Sequence, residues 1–290
     1  MRQVWLVRRG VAVIVGVTLA TGVGACGALP WHLGNRGASA SPAPGAPGGR
    51  PGDGSDPTPS RVTAYAIVGG HDLSPTPTTR DAALWATFRA VASDAVIAAK
   101  VASFQVSEEK SDRLAQVSRS EADPSRWDVD INATATTDQR DLVVTLVHEY
   151  GHIVTLSPPE VTAQTPCPGV TIDEGCAVPQ SLLSTVTTRW WAGYGDGAAS
   201  APDRDADTAD ALAAAHPGAF VSGYAATSPV EDLAETWAWF VLTDKPAGAG
   251  EAQDKIRFLW ERPDLVTERG RIRADLAAAG LPQPDPATTQ

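Results

Sequence analysis

This chain has 290 residues, is 43% hydrophobic and carries a formal charge of −11. An acidic balance argues against nucleic acid as a partner and against electrostatic adhesion to anionic lipid. The length suffices for one well-cored domain, and no internal repeat divides it.

The opening segment, residues 1–25, reads as an export signal. MRQVWLVRRG has Arg2, Arg8 and Arg9 and no acid, and the apolar run from Val11 to Val23 leads to Gly24 and Ala25. That run is shorter than the about 20 residues a membrane-spanning helix needs. VGAC (Val23 to Cys26) resembles a bacterial lipobox, in which the cysteine is lipidated; an ordinary secretory signal cut nearby, or an uncleaved anchor, is the alternative. Loss of the three arginines takes the formal charge to −14. Ala38 to Ser60 is almost entirely Ala, Ser, Pro, Gly and Asp, with nothing to bury, so residues 26–60 are expected to form a tether between lipidated Cys26 and a folded body over 61–285. The expected location is the outer face of the cell membrane, or the exterior if no lipid is attached.

Within the folded part, Arg61 to Gly70 has strand character. Thr78 to Ser93 has helical spacing, with Leu84, Phe88 and Val91 on one side. SFQVSEE, RLAQVSRS and RWDVDINA alternate as strands separated by turn residues, which predicts a small antiparallel meander. TTDQRDLVVTLVHEYGHIVTL follows as a long helix, with Thr136 and Gln139 as a capping box and Ser157-Pro158-Pro159 as its end. Cys167 and Cys176 flank a short Pro- and Gly-containing loop, and an even pair in an exported chain predicts a disulfide contributing at most about 3 kcal/mol. The rest is mostly helical: PQSLLSTVTTRWWAGY, TADALAAAHPGAF, SPVEDLAETWAWFVL and two shorter segments. The fold class is therefore α+β, a small antiparallel sheet with a central helix followed by a helical lobe.

The chemistry centres on HEYGH. His148 and His152 are i and i+4, so on a helix they stand one turn apart on one face and can share a metal ion. Glu149 is rotated from them by about 100°, beside the metal, where a general base for the water that the metal activates belongs. A catalytic zinc needs a third protein ligand. Pro158 stands where a metzincin has its third histidine, which excludes that class. Glu160, Glu174, His216 and the acids of Tyr224 to Phe240 remain as candidates. Among those acids, Glu231 and Glu235 are again i and i+4; Glu231 could be the ligand and Glu235 could hold a ligand histidine through its other ring nitrogen. Ser228-Pro229-Val230-Glu231 also reads as a capping box, and a glutamate bent back onto its own helix could not hold a metal; Asp232 or Glu174 would then take its place. DRDADTAD (Asp203 to Asp210) spaces acids like a calcium loop but lacks its glycine and its final glutamate, and reads as a solvated loop. Trp190 and Trp191 read as packing, or as a sugar or peptide platform if exposed.

HEYGH (148–152) together with Tyr224, Glu231 and Glu235 resembles the gluzincin zinc metallopeptidases, and among them those built like the catalytic domain of anthrax lethal factor. The likeness spans Thr78 to Leu242 and lacks the asparagine-glutamate second motif of thermolysin-like members. It implies a zincin-like fold and one zinc per chain held by His148, His152 and Glu231. Glu149 would then be the base, with Tyr224 as hydrogen-bond donor to the oxyanion. The implied activity is hydrolysis of peptide bonds in peptide or protein substrates. The competing expectation is a non-catalytic surface lipoprotein in which zinc is only a staple.

Overall fold

A computed structural model describes residues 61–111, 113–200 and 203–288. The expected signal, Cys26 and the tether lie outside the described residues. The fold is mixed α+β, with a five-stranded mixed sheet, a three-stranded sheet and eight α-helices among the described residues. No single described helix is long and apolar enough to cross a membrane.

The main sheet begins with β1 (Arg61–Val68) and β2 (Asp72–Ser74), an antiparallel pair. Helix α1 (Thr79–Ala92) follows, its first turn capped by Thr78, whose side chain accepts from Asp81 N. A short α2 (Asp94–Lys100) then leads into β3 (Val101–Glu108), β4 (Ala115–Arg119) and β5 (Trp127–Asn132). The strand order is β2-β1-β3-β5-β4, and β3 pairs with β5 in parallel. The antiparallel meander predicted for these three strands is thus wrong in one place: β5 inserts between β3 and β4. The burial pattern gives the reason. Trp127, Val129 and Ile131 make β5 the most completely buried of the three, so it takes the interior position. Strand β4 alternates buried Ala115 and Val117 with the partly exposed Gln116 and Ser118, and its polar residues suit a sheet edge. That edge faces the next helix.

Helix α3 (Gln139–Leu156) is the centre of the molecule, buried along nearly its whole length. Its cap is Asp138, whose side chain accepts from Arg140 N; the expected partner Thr136 instead donates to Asn132 O at 2.8 Å. Beyond α3, β6 (Val161–Thr162), β7 (Val170–Ile172) and β8 (Gly175–Ala177) form the small second sheet, which periodicity does not reveal because its strands are so short. The Cys167–Cys176 disulfide closes its hairpin, as expected. The helical lobe is α4 (Leu182–Arg189), α5 (Ala206–Ala215), α6 (Pro229–Leu242), α7 (Glu251–Trp260) and α8 (Pro263–Ala278).

Helix α6 lies against α3 and is held at both ends. Ser228 caps its start, accepting from Glu231 N at 3.3 Å, with Pro229 in the first turn. At its end Arg269 Nε donates to Phe240 O at 2.7 Å and Arg273 Nη1 donates to Leu242 O at 2.9 Å, so α8 satisfies the terminal carbonyls with positive charge. The two helices approach closely at Gly151, the fourth residue of HEYGH. A Cβ there would fall 2.8 Å from Cδ1 of Trp237, a side chain with no exposed surface into which to swing.

Gly151→Ala should therefore destabilise the fold. Removing a helix-interior glycine gains about 0.5–1 kcal/mol, whereas overpacking a filled core costs about 1–3 kcal/mol. The net expectation is a loss of about 1–2 kcal/mol in denaturant unfolding, and an unchanged or increased stability would contradict this packing.

Candidate metal centre

The four residues that matter most come from two helices. On α3, His148 and His152 face α6. On α6, Glu231 and Glu235 face back, as their i, i+4 spacing dictates. All four are buried. Three of their atoms converge. His148 Nε2 lies 3.1 Å from Glu231 Oε2 and 3.1 Å from His152 Nε2, and His152 Nε2 lies 3.4 Å from Glu231 Oε2. Glu231 therefore does not bend back as a cap: Ser228 caps the Glu231 amide, while the Glu231 carboxylate extends to the histidines. Among the described residues, His148, His152 and Glu231 form the group able to hold a metal ion.

The other candidates for a third ligand are engaged elsewhere or stand apart. Asp232 Oδ2 is 2.5 Å from Lys255 Nζ. Glu160 Oε2 accepts from Leu182 N at 2.6 Å. The His216 ring packs on Tyr194 at 4.8 Å. Glu174 lies at the β7–β8 turn and joins no ligand cluster.

Glu235 takes the outer position. Its Oε1 is 2.8 Å from His148 Nδ1 and its Oε2 accepts from Ser222 Oγ at 2.6 Å. With Nδ1–H donating to that carboxylate, Nε2 of His148 keeps its lone pair for the cluster. Ser222, which the sequence does not signal, thus extends the chain Ser222–Glu235–His148, and its Oγ also accepts from Ala225 N at 3.1 Å.

Glu149 lies on the sheet side of the histidines. Val117 N, on the outward edge of β4, donates to its Oε2 at 2.9 Å. Burial raises the Glu149 carboxyl above the ordinary range, against the opposing pull of the two histidines, and the Glu231 charge adds to the rise. The Tyr224 ring stands 5.8 Å from that of His148, centroid to centroid. Burial, then the negative charges of Glu231 and Glu149, keep its phenol neutral and able to donate. The aspartate-rich stretch, expected to be a solvated loop, is a loop only over Asp203 to Asp205; Ala206 to Asp210 form the start of α5, which Asp205 caps by accepting from Thr208 N. Burial raises the carboxyl of the stretch's first acid, Asp203, against a hydrogen bond from Ser228, and the charge of Glu231 adds to the rise. Trp190 and Trp191 are buried and form no exposed platform.

No protein-family model, curated protein or solved structure matches this chain. Its chemistry rests on the geometry alone.

Burial alone would depress both imidazoles, but the carboxylates of Glu231 and Glu235 outweigh it at His148, and Glu231 does so at His152. His148 is held well above the ordinary histidine range. Raised values mean that the metal-free centre retains protons which a metal must displace, since imidazole binds metal only when neutral. Metal uptake should therefore release protons, and affinity should climb as pH rises through the raised histidine pKa. Isothermal titration in two buffers of different ionisation enthalpy, from mildly acidic to mildly alkaline pH, checks this. A flat profile without proton release would contradict the coupling.

Proposed function

We propose that this chain is a zinc metallopeptidase of the gluzincin type with a zincin-like fold. The observation that carries the reading is the buried triangle of His148 Nε2, His152 Nε2 and Glu231 Oε2. Donors bound to zinc at about 2.1 Å in a tetrahedral array stand about 3.4 Å apart. These three are separated by 3.1, 3.1 and 3.4 Å, so the residues fit the ion with little adjustment. Two neutral imidazoles and one carboxylate suit zinc. Structural zinc sites take four protein ligands, whereas among the described residues this cluster offers three, the number that catalytic zinc sites use.

When bound, zinc would polarise a peptide carbonyl and bring the pKa of a water molecule towards neutrality. The protein supplies the rest. Glu149 has Oε2 committed to the Val117 amide, which leaves Oε1 to accept a proton from the water and pass it to the departing amine. Burial, by raising the proton affinity of this carboxylate, suits it to both halves of that transfer. Tyr224, kept neutral, would donate to the carbonyl oxygen as negative charge develops there. Glu235 holds the His148 ring in place through Nδ1. By the reading of its N-terminal residues, the chain would work at the outer face of the cell membrane, attached through lipid on Cys26, on peptide or protein substrates.

The test is elemental analysis of the purified chain together with hydrolysis of an unfolded protein substrate, before and after chelation. One zinc per chain, with hydrolysis lost to the chelator and restored by added zinc, is the expected result. Zinc without hydrolysis of any peptide mixture would leave the staple reading in possession, and no zinc at all would sink both.

A further inference from the structure

Asp232 follows Glu231 directly but is turned away from the histidines. Its carboxylate is fully buried; among the described residues its Oδ2 accepts from Trp191 Nε1 at 2.7 Å and from Lys255 Nζ at 2.5 Å, and Oδ1 has no hydrogen-bond partner. Lys255, on α7, is 1% exposed. The same ammonium donates to Ala219 O at 2.9 Å and stands 4.5 Å above the face of Phe220.

One cation therefore ties two segments together. The first is the opening turn of α6, which carries Glu231 and, one turn on, Glu235. The second is the stretch after Ala219, which supplies Ser222 and then Tyr224. These segments meet again at the Ser222–Glu235 hydrogen bond of 2.6 Å, and Glu235 in turn holds His148. Lys255 thus sits behind the residues that this half of the chain contributes to the centre. Stability alone gives little reason for the pair, because a well-packed apolar pair of similar volume is often as stabilising. Directional bonds do what apolar contacts do not: they fix the rotation of the first turn of α6 relative to Ala219.

We infer that Lys255 is a positioning residue for the metal centre, holding Glu231 and Glu235 at the separation from the α3 histidines that an ion requires, through its paired bonds to Asp232 and Ala219. The inference rests on the metal reading above.

Lys255→Met alone leaves a buried unpaired carboxylate and risks unfolding the chain. The informative variant is Asp232→Asn with Lys255→Met, which removes both charges, nearly keeps the volume and leaves Trp191 an acceptor. Three measurements apply to the purified full chain and to this variant: unfolding and near-ultraviolet circular dichroism without metal, zinc affinity by chelator competition, and the visible spectrum of the cobalt(II) form. The expected result is a preserved metal-free fold, zinc affinity lower by about tenfold or more, and cobalt bands altered in energy or intensity. A folded variant with unchanged zinc affinity and cobalt spectrum would overturn the positioning role alone. A double variant that loses its metal-free fold overturns it too, because the pair would then be a fastener of the whole core. Wild-type chain that takes up no zinc would overturn this inference together with the reading beneath it.

Discussion

Glu231→Ala should strip the centre of its metal while leaving the helix that bears it intact. The two possible jobs of this residue use different atoms. The helix start depends on the Glu231 backbone amide, which Ser228 accepts, and alanine keeps that amide. The cluster depends on Oε2, which alanine removes. Loss of an outer partner of a ligand typically lowers metal affinity by about 10- to 100-fold, and this is the range expected for Glu235→Ala. Loss of a direct ligand should exceed it, so Glu231→Ala is expected to bind zinc more weakly than Glu235→Ala in the same chelator competition. Removing the carboxylate also withdraws the charge that holds His152 and His148 above their burial-depressed values, so both should titrate at lower pH in the variant. If Glu231→Ala binds zinc as tightly as wild type, the triangle is not the metal site. Asp232 could not replace it, committed as it is to Lys255, and attention would pass to Glu174.

What could be read from the residues, and what could not, follows from how local each feature is. HEYGH and the Glu231–Glu235 pair are helical spacings of four. A helix turns such a spacing into a shared face whatever surrounds it, so each half of the centre was legible separately. Their convergence was not: a capping box at Ser228 reads the same whether the Glu231 carboxylate folds back or reaches across to α3. The difference is decided by α3 lying alongside, and that approach depends on Gly151 against Trp237. Strand order failed for the same reason. Each of β3, β4 and β5 was recognisable by alternation, but the parallel β3–β5 pairing is a non-local choice made by burial of Trp127, Val129 and Ile131. Ser222, Asp203 and Lys255 carry no periodic signal, and Val117 contributes only its amide. Residues that act by a single bond to a distant segment leave no trace in a linear pattern.

On the proposed peptidase reading, Glu149→Gln should nearly abolish hydrolysis while the chain stays folded and keeps its zinc. Glutamine is close in size and its carbonyl oxygen can still accept from the Val117 amide, so neither the β4 edge nor α3 has reason to move. Glu149 is not among the three clustered ligand atoms, so zinc affinity should hold within a few-fold. What the substitution removes is a group that can both take and give a proton. General acid–base catalysis by one residue is typically worth about 10²- to 10⁴-fold, and a kcat loss of that order is expected, with KM little changed. The acid side of the wild-type pH profile should follow the same group. Because the base acts only when deprotonated and burial raises its carboxyl, activity should rise with pH through a value above that of an ordinary glutamate. That limb should vanish from the residual activity of the variant. Hydrolysis indifferent to Glu149→Gln, in protein that still holds zinc, would mean that another group moves the proton, and the role given to this side chain would be wrong even if the metal site were right.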